Sequence, residues 1–214
     1  QLPQKRRQVR RGARRKLMYC NIDELILASA SPRRRRFLDD LGLSFRVEAA
    51  SIVEEPQAGE SPSQFVCRMA LDKARAISAK HPQTWVVSGD TVVSLGERIF
   101  GKPRHFEEAV AMLLELSGRE HLVETAFCVC RRMPLVEVVR SVVTRVQFAP
   151  FDEATARAYA ATDECLDKAG AYGIQGRGAV LVRTIAGSSS NVVGLPLWEL
   201  LETLDRKSTR LNSS

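Results

Sequence analysis

The sequence predicts an α/β fold with a mixed β-sheet and flanking helices. Three observations carry this prediction. Strand-like and helix-like patterns interleave from Leu25 to Leu204. Two long β-rich runs, Leu122–Cys130 and Leu135–Phe148, are separated only by Arg131-Arg132-Met133-Pro134 and read as a hairpin. No internal repeat occurs, so the pattern describes a domain and not a solenoid.

Taken in order, Leu25–Ala28 is a short apolar strand leading into the small-residue string Ala28-Ser29-Ala30-Ser31. Ser31 as N-cap and Pro32 at the first helical position start a helix through Leu41, which Gly42 stops. Phe45–Ala50 reads as a strand. Ser61-Pro62-Ser63-Gln64 is a capping box that opens a long helix to about Ala79. Trp85–Ser88 and Thr91–Leu95 are strand-like on either side of Gly89-Asp90, where the glycine suggests a bend or bulge. Phe106–Leu116 is a helix closed by Ser117-Gly118, and Asp152 caps another through Ala161. A glycine-rich loop, Asp167 to Gly178, precedes a strand Ala179–Ile185, and the last helix begins at Pro196.

Charge is unevenly distributed. The 214 residues hold 32 basic and 25 acidic side chains, a formal charge of +7. Eight of the bases lie in residues 1–17, and three bases with one acid lie in residues 205–214; the remainder, 18–204, has 21 bases, 24 acids and a charge of −3. Residues 1–17 read as a disordered basic leader of non-native origin, with Met18 as a natural start, and 205–214 as sequencing-adapter read-through. Residues 18–204 are therefore expected to form the domain, and a polymeric nucleic acid is not the expected partner. No apolar run reaches the roughly 20 residues of a membrane-spanning helix, and no apolar signal segment follows the basic N-terminus. Five cysteines without CxxC spacing argue for neither zinc nor a disulfide framework, and fit a reducing cytoplasm.

Four local anomalies point to chemistry. A helix N-terminus carries partial positive charge, yet the one at Ser31 is followed by Arg33-Arg34-Arg35-Arg36, which is unfavourable unless an anion is present or, as for some of Arg35 and Arg36, the side chains form a solvated basic surface. Arg33 and Arg34 are the preferred phosphate ligands there. Lys73 shares the apolar helix face of Val66, Met69, Ala70 and Ile77, so it either snorkels or points its ammonium into a cleft. Asp90 sits between apolar strand segments, where an ionised carboxylate is costly unless paired, hydrogen-bonded or metal-bound. Asp167-Lys168-Ala169-Gly170-Ala171-Tyr172-Gly173-Ile174-Gln175-Gly176 spaces glycines for close backbone approach, with Gln175 able to read a base edge. Gly96–Lys102 mimics a P-loop, but Pro103 replaces the magnesium-binding hydroxyl residue and no helix follows at once; Lys102 can still meet phosphate in another geometry.

Together these strings resemble the Maf family of nucleoside triphosphate pyrophosphatases, from about Leu25 to Leu204. The matching pieces are Leu27–Arg34, Glu54-Glu55, Asp72-Lys73-Ala74, Gly89–Val93, Gly101-Lys102-Pro103, Asp167–Gly176 and Asn191–Pro196. The resemblance implies an elongated two-lobed fold, similar to that of inosine triphosphatases, with the site in a central cleft. It also implies cytoplasmic hydrolysis of a nucleotide between its α and β phosphates, a divalent cation (Mg²⁺ or Mn²⁺) and a possible homodimer. By that resemblance Asp90 is the proton acceptor, while Arg33, Thr91 and Gln175 govern base selection. Lys73 is an expected catalytic residue with Asp90; Ser31, Arg33, Arg34, Lys102, Lys168 and Gln175 are the expected substrate-binding groups, and Glu55 with Asp90 the expected metal ligands. The form of the Asp167–Gly176 string, with Arg33 after Ser-Pro, looks like the dTTP/UTP-preferring branch. The alternatives are 7-methyl-GTP or a non-canonical purine nucleotide as substrate, or a nucleotide-binding regulator of cell division. Gly101 stands where some relatives carry Glu.

Overall fold

The computed structural model describes residues 19–21, 23–162, 164–205 and 209–211. The expected leader, 1–17, lies outside them. In chain order the elements are β1 (Tyr19–Asn21), β2 (Leu25–Leu27), α1 (Pro32–Leu41), β3 (Arg46–Val47), α2 (Pro62–Ser78), β4 (Trp85–Leu95) and β5 (Arg98–Phe100). Then come α3 (Phe106–Leu116), β6 (Glu120–Arg131), β7 (Val136–Phe148) and α4 (Glu153–Ala160). Two 3₁₀ turns, Ala169–Ala171 and Arg177–Leu181, lead to β8 (Val182–Ala186), α5 (Ser189–Val193), α6 (Leu197–Asp205) and β9 (Thr209–Leu211).

Seven strands form one mixed sheet in the order β3-β2-β4-β6-β7-β8, with β5 added on β4. β2 runs parallel to both β3 and β4, while β4, β6, β7 and β8 are successively antiparallel. β1 and β9 make a separate antiparallel ribbon. Among the described residues no helix is long and apolar enough to cross a membrane.

Local signals set most helix ends. Ser61 Oγ accepts from Gln64 N while Gln64 Oε1 accepts from Ser61 N, so the capping box satisfies donors that the first turn of α2 leaves free. Gly42 adopts φ 81°, and its N–H closes α1 on Leu38 and Asp39. His105, of no assigned role in the sequence, caps α3 by accepting from Glu108 N at 3.2 Å.

Each face of the sheet buries its own cluster. Val86, Val92, Ala126, Cys128 and Cys130 pack under Phe65, Val66, Met69, Ala70, Ala74 and Ile77 of α2. On the other face Leu27, Val87, Phe127 and Val129 meet Leu38 of α1 and Leu200 and Leu204 of α6. A further core lies toward the far end of the sheet, where Val93, Val123, Val146 and Phe148 pack with α3, α4 and the Ala171-Tyr172 segment. Truncating one fully buried member such as Met69 to alanine costs roughly 2–5 kcal/mol.

Three expectations need correction. β4 is one continuous strand through Gly89 and Asp90, in unbroken register with Phe127 and Ala126. The glycine makes room and no bend: a Cβ there would lie 3.1 Å from Arg34 Nε and 3.3 Å from the Ala126 carbonyl oxygen. The strand expected over Phe45–Ala50 shrinks to Arg46–Val47, because β3 pairs only with the short β2. Ala179–Ile185 begins as a 3₁₀ turn and becomes strand only from Val182.

The topology opens a gap at β4. On the edge away from β6, pairing with β2 ends at Val87, whose oxygen accepts from Ala28 N at 2.7 Å. β5 resumes on that edge only at Val93. Residues 88–92 therefore border an unfilled stretch of sheet, with the start of α1 beside it and Asp90 at its middle. Crevices of this kind beyond strand ends are where α/β sheets bind ligands.

Candidate active site

The gap opens into a cleft of about 730 Å³. Five cations (Arg33, Arg34, Lys73, Lys102, Lys168) and three carboxylates (Glu54, Asp90, Asp167) line it. An excess of cations around a concave site suits a polyanion. Ser31, Thr91 and Gln175 line the same cleft, so all but one of the residues singled out from sequence converge there. The exception is Glu55, which is exposed and outside the lining. Its neighbour Glu54 faces the cleft, and the Glu55 carbonyl is held by Arg68 Nη2 at 3.0 Å. The sequence pair could not be split because both carboxylates lie in an irregular segment with no periodicity to assign their sides.

Lys73 resolves toward the cleft, not the surface. Alternation along β4 sends Asp90 to the α2 face, and the helical period brings Lys73 to the same face from above. Its Nζ lies 2.7 Å from Asp90 Oδ1 and 2.9 Å from Glu54 Oε1. Lys73 is 7% exposed and Asp90 8%. One ammonium thus bridges and orients two carboxylates at the centre of the site.

Arg34 is a buried hub. Nε donates to the Gly194 carbonyl at 2.7 Å, Nη1 to Ser29 Oγ at 3.1 Å and Nη2 to Thr91 Oγ1 at 2.9 Å. Burial presses its pKa downward, and the negative charges of Asp90 and Glu54 oppose that pressure while Arg33 adds to it. The guanidinium ties the start of α1 to β4 and to the turn after α5, as the planar fork of arginine allows and a lysine would not. Behind it, Thr91 Oγ1 is 2.9 Å from Thr125 Oγ1, and Asn191 bonds Thr125, Val123 and Thr144. Ser29, Thr125 and Asn191 were not identifiable as site support from sequence, since nothing local distinguishes a hydroxyl that faces an arginine from one that faces water.

Across the mouth, Asp167 joins two cations. Its Oδ2 accepts from Arg33 Nη1 at 2.7 Å and its Oδ1 from Lys168 Nζ at 2.5 Å. Burial raises the Asp167 pKa, but the bonds to Lys168 and Arg33 outweigh it and hold the group below its ordinary value. Lys168 also donates to the Glu164 carbonyl. Lys102 makes no ion pair among the described residues, so its ammonium is available to a ligand. Arg35 and Arg36 point away from this chemistry, in exposed pairs with Asp39 and Asp40.

The glycine loop is packed as a wall, not left as a mobile surface segment. A Cβ on Gly178 would lie 2.3 Å from the Gly173 oxygen and 2.6 Å from the Tyr159 hydroxyl, so only glycine lets these segments touch. The Tyr159 hydroxyl accepts from Gly173 N at 3.1 Å. Tyr172, in the cleft lining, is backed by His121 Nε2 at 2.7 Å. Burial pushes the His121 pKa down to about 4, so this imidazole is neutral at neutral pH.

The segment carrying Glu54 is anchored by Arg68. Its Nε and Nη2 each lie 2.6 Å from Glu60 oxygens, and Nη2 also holds the Glu55 carbonyl. The bonds from Arg68 lower the Glu60 pKa from 4.5 to about 2. A depressed carboxylate stabilises fully above its unfolded pKa, and that contribution disappears as pH falls through the folded value. Glu60→Gln should therefore lower the melting temperature by an amount constant above pH 4.5 that shrinks toward pH 2. Melting curves of both proteins from about pH 6 to pH 3 check this, and a difference that grows on acidification would refute it.

Two carboxylates of the cleft, Asp90 and Glu54, are of the kind a divalent ion takes as ligands. Among the described residues no cluster of three His, Cys, Asp or Glu side chains could hold a metal by itself. Asp90 and Glu54, joined through Lys73, offer hard carboxylate oxygens. Magnesium typically takes one or two such carboxylates and completes its shell with substrate phosphates and water.

The profile of a family described as "Maf-like protein" matches residues 24–207. A dTTP/UTP pyrophosphatase of Desulfotalea psychrophila is 57% identical over 187 residues, 87% of this chain and 96% of that protein. A dTTP/UTP pyrophosphatase of Myxococcus xanthus is 50% identical, covering 85% of this chain and 91% of the relative. The enzyme of that name from Alcanivorax borkumensis is 48% identical, with 85% and 94% covered. With a profile match across most of its length and relatives at such identity, the chain belongs to the Maf-like protein family.

Proposed function

We propose that the protein is a cytoplasmic nucleoside triphosphate pyrophosphatase acting on dTTP and UTP, releasing the monophosphate and pyrophosphate. The observation that carries this reading is the buried Asp90–Lys73 pair at the centre of a cation-lined cleft, 2.7 Å apart. The relatives named for this activity support it.

Hydrolysis at the α-phosphorus requires a water to be oriented and to lose a proton, while negative charge grows on the departing pyrophosphate. Asp90 is the proton acceptor: its carboxylate is held by Lys73 and lies at the open stretch of β4. Lys73 fixes the rotamer of Asp90 and draws Glu54 to the same point. Lys102, Lys168 and Arg33 meet the phosphate oxygens, and their charge stabilises the leaving pyrophosphate. For that, Arg33 and Lys168 must exchange their bonds to Asp167 for bonds to substrate. Gln175 and Thr91 face the nucleoside. A Mg²⁺ or Mn²⁺ ion held by Asp90, with Glu54 in the place expected of Glu55, would acidify a coordinated water and draw charge from phosphate oxygens.

The test is pyrophosphate release by the full chain from dTTP, UTP, CTP, 7-methyl-GTP and ITP with Mg²⁺ or Mn²⁺. Turnover of dTTP and UTP above the others is expected, lost in EDTA and restored by either metal. Preference for 7-methyl-GTP would reassign the substrate, and no turnover of any nucleotide would overturn the reading.

A further inference from the structure

The hydroxyl chain behind the cleft has a fixed direction. A carbonyl oxygen only accepts, so the 2.8 Å contact between Thr125 Oγ1 and the Asn191 oxygen commits the Thr125 hydrogen to Asn191. Thr91 and Thr125 are directly opposed in the β4–β6 register, with their hydroxyls 2.9 Å apart. Having no hydrogen left to give, Thr125 must accept there, and Thr91 must donate. Thr91 also accepts from Arg34 Nη2 at 2.9 Å. A hydroxyl has one hydrogen and two lone pairs, so Thr91 retains a single lone pair toward the cleft it lines.

We propose that Thr125, fully buried and outside the cleft lining, fixes Thr91 as a hydrogen-bond acceptor toward the substrate. The group that settles on Thr91 must then bring a hydrogen. The phosphate oxygens of an ionised triphosphate bring none and are turned away from this wall, whereas a Watson–Crick-edge N–H of the base or the 2′-hydroxyl of the sugar is accepted. Thr125 thus acts as a positioning residue for specificity, one layer behind the residue that touches the ligand. The direction is locked from both ends, because Asn191 is itself immobilised: its amide nitrogen donates to the Val123 carbonyl and to Thr144 Oγ1, each at 2.9 Å. The inference rests on the cleft being a nucleotide site.

Calorimetric binding tests it separately from turnover. The probes are α,β-methylene analogues of UTP, CTP and dUTP, which cannot be cleaved at that bridge, titrated into the full chain with Mg²⁺. Uracil and cytosine exchange donor and acceptor at ring positions 3 and 4, and UTP differs from dUTP by the 2′-hydroxyl. The wild-type protein is expected to discriminate about tenfold within at least one of these pairs, since a mismatched buried polar contact is costly. The discriminating pair identifies base or sugar as the source of the hydrogen. Thr125→Val keeps the shape but frees the Thr91 hydrogen to turn toward the ligand, and should narrow that gap to within about threefold. Thr125→Ser, which keeps the hydroxyl, should retain the wild-type ratio. Thr125→Ala removes the same hydroxyl without the added methyl, should valine disturb the fold.

Equal wild-type affinity for all three analogues would overturn the proposal, as would an unchanged ratio in a folded Thr125→Val or Thr125→Ala protein. Failure of pyrophosphate release with binding discrimination intact would count against the hydrolytic reading alone.

Discussion

Asp90→Asn is expected to lower pyrophosphate release from UTP by a factor of about 10²–10⁴ while the protein remains folded, the range typical for loss of a general base. Asparagine keeps the shape and an oxygen able to accept from Lys73, so the strand and the α2 packing above it need not move. It removes the negative charge that takes up a proton. Lys73 keeps a charged partner in Glu54, 2.9 Å away, so the buried ammonium is not left unpaired and the stability change should be small. Steady-state kinetics and a thermal melt on the same preparation separate these effects. A loss confined to KM, with kcat within a few-fold of wild type, would show that Asp90 only binds.

Much of this site could be read from the chain because its elements are announced by short-range chemistry. Ser31-Pro32 and the Ser61–Gln64 box placed two helix starts, and with them the arginines and the register of Lys73. The apolar neighbours of Lys73 fixed its face but could not decide between snorkelling and burial. That choice depends on Asp90, a residue of another element whose side is set by strand alternation. Gly89 illustrates the limit more sharply. Glycine within a strand predicts either a bulge or a close approach, and the two cannot be told apart until the approaching group, Arg34, is in place. The same holds for Glu54 and Glu55, and for Thr125 and Asn191, whose roles arise wholly from contacts across the sheet. Local order was legible; partnership between distant residues was not, except where several motifs together matched a family.

Removing the cation of the central pair should have the larger effect on stability. Lys73→Met keeps an unbranched apolar stem on the buried face of α2, but leaves Asp90, 8% exposed, without its ammonium. Breaking a buried pair from one side typically costs 3–5 kcal/mol. Because one side of this pair borders the cleft, where water can reach Asp90, a value of roughly 2–4 kcal/mol is expected. For a chain of this size that corresponds to a fall of roughly 4–16 °C in melting temperature. The double variant Lys73→Met/Asp90→Asn should recover much of the loss, since the orphaned charge is then gone and a neutral amide beside a thioether is far less costly to bury. Activity should not follow: the single and double variants should all lack pyrophosphate release. Chemical denaturation of wild type and the three variants closes the thermodynamic cycle. A double variant less stable than Lys73→Met alone would mean that the pair is not the stabilising unit. Recovery of both stability and turnover would remove Asp90 from the mechanism. Stability restored without activity is the outcome that assigns the Asp90 charge to chemistry and the Lys73 charge to holding it there.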